Sequence, residues 1–103
     1  MFSKAITLDF GQLPNAIADL YQPPAGQSAY VKKIRLANPT GGTVTMTLSK
    51  RVSGTDYLMC NLSLATGEWA EWTDLVLGDG EILRGFASAA ASIDFLVEGV
   101  LES

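Results

Sequence analysis

The sequence predicts an all-β protein, an antiparallel β-sandwich of Ig-like or jelly-roll-like type with about seven strands. Three observations carry this. Apolar residues alternate with period two along most of the chain, the mark of half-buried strands. Turn clusters at Pro39-Thr40-Gly41-Gly42, Ser53-Gly54, Thr66-Gly67 and Gly78-Asp79-Gly80 punctuate it at near-regular spacing. Helix signals are poor: "LPNAIADLY" has only Asn15 as an N-cap, and Pro23-Pro24 follows at once.

The elements follow in chain order. Phe2, Ile6, Leu8 and Phe10 alternate near the start. Because the sandwich already has enough strands without them, residues 1–14 are expected to be an arm. Residues 15–103 then form a single sandwich domain. Ala16 to Gln22 reads as a strand or an extended segment. Ala29 to Asn38 and Thr43 to Lys50 read as a hairpin around "NPTGG". If Asn38 faces Val44, then Leu36 faces Met46 and Ile34 faces Leu48 on the core side. Arg35 with Thr47, and Lys33 with Ser49, then face water. One register sorts both strands.

Asp56 to Leu64 is a strand with apolar residues on both faces: Tyr57 and Met59 on one, Leu58, Cys60 and Leu62 on the other. Such a strand needs cover on both sides, from its own sheet or from another subunit. Glu68 to Leu77, Glu81 to Ala87 and Ile93 to Leu101 complete the set. In the last of these Ile93, Phe95 and Val97 alternate with Asp94, Leu96 and Glu98.

Composition bounds the function. The chain has 103 residues, the size of one domain with one core. Apolar residues make up 48% and charged residues 17%, low against a usual ~25% for charge. Together with a mean hydropathy of +0.21, this points to apolar surface kept for a partner. No run approaches the ~18 apolar residues of a membrane span, and the start lacks the apolar core of a signal peptide.

The net charge of −4 is unevenly spread. Leu20 to Thr55 holds five bases and no acid, whereas Val52 to Leu83 holds six acids and no base. Either like copies attract each other side to side, or folding interleaves the halves and cancels the asymmetry.

Catalysis and metal binding find little support. There is no histidine, so the common general base and the Ser-His-Asp triad are absent. Cys60 lies mid-strand without an activating partner and is expected to be buried and inert. The acids of "GEWAEWTD" and "GDGE" read as turn and surface residues rather than as a glycosidase pair. Asp79 and Glu81 offer too few oxygens for calcium, and zinc lacks ligands. No cofactor is therefore expected. The bases on the hairpin have only Tyr30 near them, with no series of aromatic platforms, so nucleic acid is not an expected partner.

The stretch "EWAEW" is the anomaly. Trp69 and Trp72 are three apart, so on a regular strand they face opposite ways. One joins the core. The other lies at a protein–protein contact or under a loop of its own chain. Trp72 is the expected core residue, provided that a bulge near Thr73 brings it into line with Leu75 and Leu77.

Taken in order, several weak motifs resemble those of small virion proteins of tailed bacteriophages. They are Leu20-Tyr21, Ile34 to Thr40, the Thr-rich Thr43 to Leu48, Leu77 to Ile82, the alanine-serine run Ala87 to Ser92, and Gly99 to Glu102. The final "GVLE" departs by one residue from the "GVE" of that pattern. The resemblance covers about residues 20 to 102. It implies a non-enzymatic β-sandwich of the virion, made in the host cytoplasm. The first reading is a capsid decoration (cement) protein that binds the major capsid protein and forms a homo-oligomer, a trimer by symmetry. A tail, baseplate or fibre module is the alternative, and a carbohydrate-binding β-sandwich is a further one. The expected interface residues are Trp69, Trp72, Phe2, Ile6, Leu8, Phe10, Lys33 and Arg35.

Overall fold

A computed structural model describes residues 6–89 and 92–102. It contains eight strands: β1 Ile6–Gln12, β2 Ala18–Tyr21, β3 Ser28–Ala37, β4 Val44–Val52, β5 Thr55–Leu64, β6 Trp69–Leu77, β7 Ile82–Ala87 and β8 Asp94–Glu102. They form two four-stranded antiparallel sheets in the orders β1-β8-β3-β6 and β2-β7-β4-β5. Pairing is nested: first with last, second with seventh, third with sixth, fourth with fifth. A long hairpin rolled so that alternate pairs fall in opposite sheets gives this order, which is that of a jelly roll. The sandwich is the predicted fold class.

The core lies between the sheets. Val31, Ile34 and Leu36 from β3 join Met46 and Leu48 from β4, Leu77, Leu83 and Val97, all fully buried. The alternation in β3 and β4 correctly marks which residues enter it. It does not identify the partners. β3 and β4 lie in different sheets, so the expected hairpin of Ala29–Asn38 with Thr43–Lys50 does not exist. Period two reports only that each strand has one buried face. Two strands facing each other across a sandwich satisfy that pattern as well as two paired in one sheet.

The 38–43 connection is an arch between sheets, and Asn38 holds it. Its side chain is buried and fully used. Nδ2 donates to the carbonyls of Gly42 and Leu64, both at 2.7 Å. Oδ1 accepts from the Thr40 amide at 3.0 Å and the Thr40 hydroxyl at 2.6 Å. The Asn38 backbone meets the β5–β6 turn through Glu68 O and the Gly67 amide. One residue thus ties the arch to the facing turn.

The segment expected to be an arm is, from Ile6 to Gln12, an edge strand of the first sheet, paired along its length with β8. Leu13 behind it is fully buried, and its amide donates to Ile93 O at 2.9 Å. Nested pairing needs an eighth strand to flank β8, and the alternation of Ile6, Leu8 and Phe10 supplies it. Phe2 falls outside the described residues.

A line of irregularities crosses this sheet. The β1–β8 register shifts between Thr7 and Asp9, and the β3–β8 register between Val31 and Lys33. On β6, Asp74 has φ 62°. The shift resets the alternation: Val31 and Ile34 are both buried although three apart, and on β6 the half-buried Trp72 falls in line with Leu75. Next to it Gly99 meets β3 so closely that a Cβ there would lie 2.2 Å from Tyr30 O. Only glycine fits that approach.

Candidate docking face

The register of the β1-β8-β3-β6 sheet fixes what its outer face presents. Gln12, Asp94, Ala37 and Trp69 lie abreast across the four strands. The next row is Phe10, Leu96, Arg35 and Glu71, and the next is Thr7, Glu98, Lys33 and Thr73. Beyond the irregular line come Val100, Tyr30 and Val76. Phe10 is 71% exposed, Trp69 59% and Val76 57%, with Leu96 and Tyr30 near 40%. Isolated apolar residues on a surface are ordinary. Here Phe10 and Leu96 are direct neighbours with Trp69 one row away, while Tyr30 and Val76 lie on the same side of the sheet beyond the polar row of Thr7, Glu98, Lys33 and Thr73. Such a gathering is of the kind that marks an interaction site.

Charge is set among these side chains. The Arg35 guanidinium lies 5.3 Å from the Trp69 ring centroid, within cation–π range. The Glu71 carboxylate forms ion pairs with Lys33 at 3.3 Å and with Arg35 at 3.8 Å. These partly exposed pairs add little stability, and their effect is to fix orientation. Arg35, Ala37, Gly67 and Trp69 line a shallow open cleft of about 400 Å³. On the far side of the irregular line the Tyr30 hydroxyl donates to Asp74 in a short hydrogen bond. That bond raises the phenol's pKa, because ionised Tyr30 would lose it.

Four of the eight expected interface residues therefore share one face: Phe10, Lys33, Arg35 and Trp69. Trp72 and Leu8 are half-buried and pack against the core. Ile6, at the start of β1, is 49% exposed and borders a second open cleft with Thr7, Lys32, Lys33 and Glu98. The two tryptophans separate onto opposite faces as period two requires. Sequence reasoning missed Leu96, Tyr30 and Val76 as exposed apolar residues of this face. Leu96 carried a readable signal, since it alternates with the core set alongside Asp94 and Glu98.

Elsewhere the opposed charge halves are interleaved by the fold. Lys33 and Arg35 on β3 meet Glu71 on β6. Lys50 meets Glu81 at 3.0 Å, Arg51 lies 3.7 Å from Asp56, and Arg84 binds Asp19 and Asp56 at 2.8 Å each. Nested pairing sets the basic stretch beside the acidic one, so the asymmetry is largely consumed within the chain. Cys60 is half-buried against the core, and burial pushes its thiol pKa up, away from a reactive thiolate. Among the described residues no cluster of His, Cys, Asp and Glu has the makings of a metal site, and no helix is long and apolar enough to cross a membrane.

No family model matches the chain, and no curated protein matches it. Among solved structures it is similar to a pentameric capsid protein isolated from metagenomic phage sequences, at a TM-score of 0.41 and 14% identity. The match covers 94% of this chain and 60% of that one.

Proposed function

We propose that this chain is a non-enzymatic structural protein of a phage virion, a capsid decoration protein. It docks on the major capsid protein lattice through the outer face of the β1-β8-β3-β6 sheet. The observation that carries the reading is the gathering of Phe10, Leu96, Arg35 and Trp69 on one sheet face. A ligand of the assembled shell stabilises that shell by mass action, and an exposed face with an aromatic anchor suits a protein surface. The order of motifs that resembles small phage virion proteins supports the same assignment, with a tail module as the alternative location.

The exposed Trp69 beside an open cleft favours a second reading, sugar stacking. Against it, the polar groups next to the ring are engaged with one another: Arg35 with the ring and with Glu71.

The test is co-sedimentation of the protein with purified heads lacking it, and separately with tails. Saturable binding to heads, raised head stability, and loss of both in Trp69→Ala are the expected results. Binding to tails alone moves the protein to the tail. Binding to neither, with retention on a glycan array, selects the sugar reading.

A further inference from the structure

A second surface stands apart from the docking face. β5 is the free edge of the β2-β7-β4-β5 sheet, ten residues long, with Tyr57 59% and Leu58 68% exposed. An edge strand is a template for another strand, and folded proteins usually blunt it. The other three edges here are blunted. β1 is bulged at Leu8, and the Phe10 amide is taken by the Asp9 carboxylate at 2.8 Å. β2 has four residues, a register shift at Leu20, and Pro23-Pro24 just beyond it. β6 is interrupted at Asp74, whose φ is positive. β5 has no Lys, Arg or Pro, and its one charge, Asp56, is held by Arg51 and Arg84. Its only irregularity is the shift at Met59.

We infer that β5 pairs antiparallel with β5 of a second copy, joining the two β2-β7-β4-β5 sheets into one sheet of eight strands. The occupant is a second copy for two reasons. First, a pairing centred between Met59 and Asn61 sets Asp56 opposite uncharged residues at the far end of the partner strand, so no like charges meet. Second, β5 has exposed apolar residues on both faces of the strand, and a partner strand that matches it on both is β5 itself. The two-fold axis of such a pair stands perpendicular to the sheet. It leaves both copies' docking faces on the same side, so the dimer offers two Trp69 patches to one flat target. The dimer itself does not depend on the capsid reading, because it is measured without any shell.

Sedimentation equilibrium of the wild-type chain at ~10–100 µM tests it, a range suited to a small edge-to-edge interface. The expected result is a monomer–dimer equilibrium, abolished by Leu58→Lys and kept by Val76→Lys on the docking face. Hydrogen exchange supplies an arm that needs no variant: protection of β5 amides rises with protein concentration while that of β1 amides does not. A wild-type monomer throughout the range, a trimer or pentamer, an unaltered dimer in Leu58→Lys, or concentration-independent β5 exchange each overturns the inference.

Discussion

Arg35 and Trp69 stand on neighbouring strands with the guanidinium 5.3 Å from the ring centroid, on the face that Phe10 and Leu96 share. The pair presets the ring against the sheet, which lowers the entropy lost when a partner covers it. Trp69→Ala is expected to weaken head binding by ~2 kcal/mol or more, the scale of a hot spot, with thermal stability nearly unchanged. Trp72→Ala is expected to do the reverse. It should lower stability by about 2–3 kcal/mol, somewhat below the loss for a fully buried aromatic. Equal effects of the two substitutions on stability would falsify the separation of roles.

Asn38 gives a second expectation. Its side chain meets the carbonyls of Gly42 and Leu64 and the amide and hydroxyl of Thr40. Asn38→Ala leaves the buried Leu64 carbonyl and the partly buried Thr40 amide without their partner and is expected to cost roughly 2–4 kcal/mol in urea unfolding, since each unsatisfied group costs ~1–3 kcal/mol. Asn38→Asp should cost a similar amount, because it sets a carboxylate against two carbonyl oxygens. A midpoint within error of wild type for both would show that the arch holds without them.

Gly99 and Gly41 form a matched test of backbone approach. A Cβ at Gly99 meets Tyr30 O at 2.2 Å and Val31 Cα at 2.9 Å, while one at Gly41 meets nothing within 4 Å. Gly99→Ala is expected to destabilise by ~3 kcal/mol or more, at the upper end for single substitutions, and Gly41→Ala by at most ~0.5 kcal/mol. Similar melting temperatures for the two variants would contradict the close β3–β8 contact.

Acid sensitivity follows from Glu81. The Gly78 amide donates to its carboxylate at 2.7 Å and Lys50 Nζ lies 3.0 Å away. The amide bond, then the lysine, lower its pKa below the ordinary carboxylate value. Its contribution is therefore complete above the unfolded value of ~4.3 and fades as pH falls through the lower folded value. The melting-temperature gap between wild type and Glu81→Gln is expected to close on acidification from neutral pH. The size is modest, below ~1 kcal/mol, because the pair is partly exposed. A gap that widens in acid would reverse the sign of the argument.

The parts of this fold legible in the sequence are those set by one residue and its immediate neighbours. Period two marked Ile34, Leu36, Met46 and Leu48 as core. Three-residue spacing separated Trp69 from Trp72, and the need to align Trp72 with Leu75 and Leu77 located the irregularity that Asp74 provides. Pairing was not legible. The same alternation fits β3 beside β4 and β3 across from β4, and only the inter-sheet arch at Asn38 decides between them. β1 was misplaced for a related reason: strand propensity does not count the strands a sheet requires. The docking face was half legible, because Phe10, Arg35 and Trp69 become neighbours only through pairings that span most of the chain.

β8 runs between β1 and β3 in the middle of its sheet. Until that strand is in place, β1 has no neighbour in its sheet, and β3 with β6 is a two-stranded ribbon, too small to hold together in water. As the chain leaves the ribosome, the β2-β7-β4-β5 sheet can pair without β8, but β1 and the β3–β6 ribbon must wait for it, so the inner face of the first sheet stays unprotected until then. Assembly is then all-or-none, gated by the latest strand to emerge and slowed by its distant partners. A protein made this way spends its vulnerable interval before β8 arrives, and a truncation that removes β8 would leave an aggregate rather than a smaller domain.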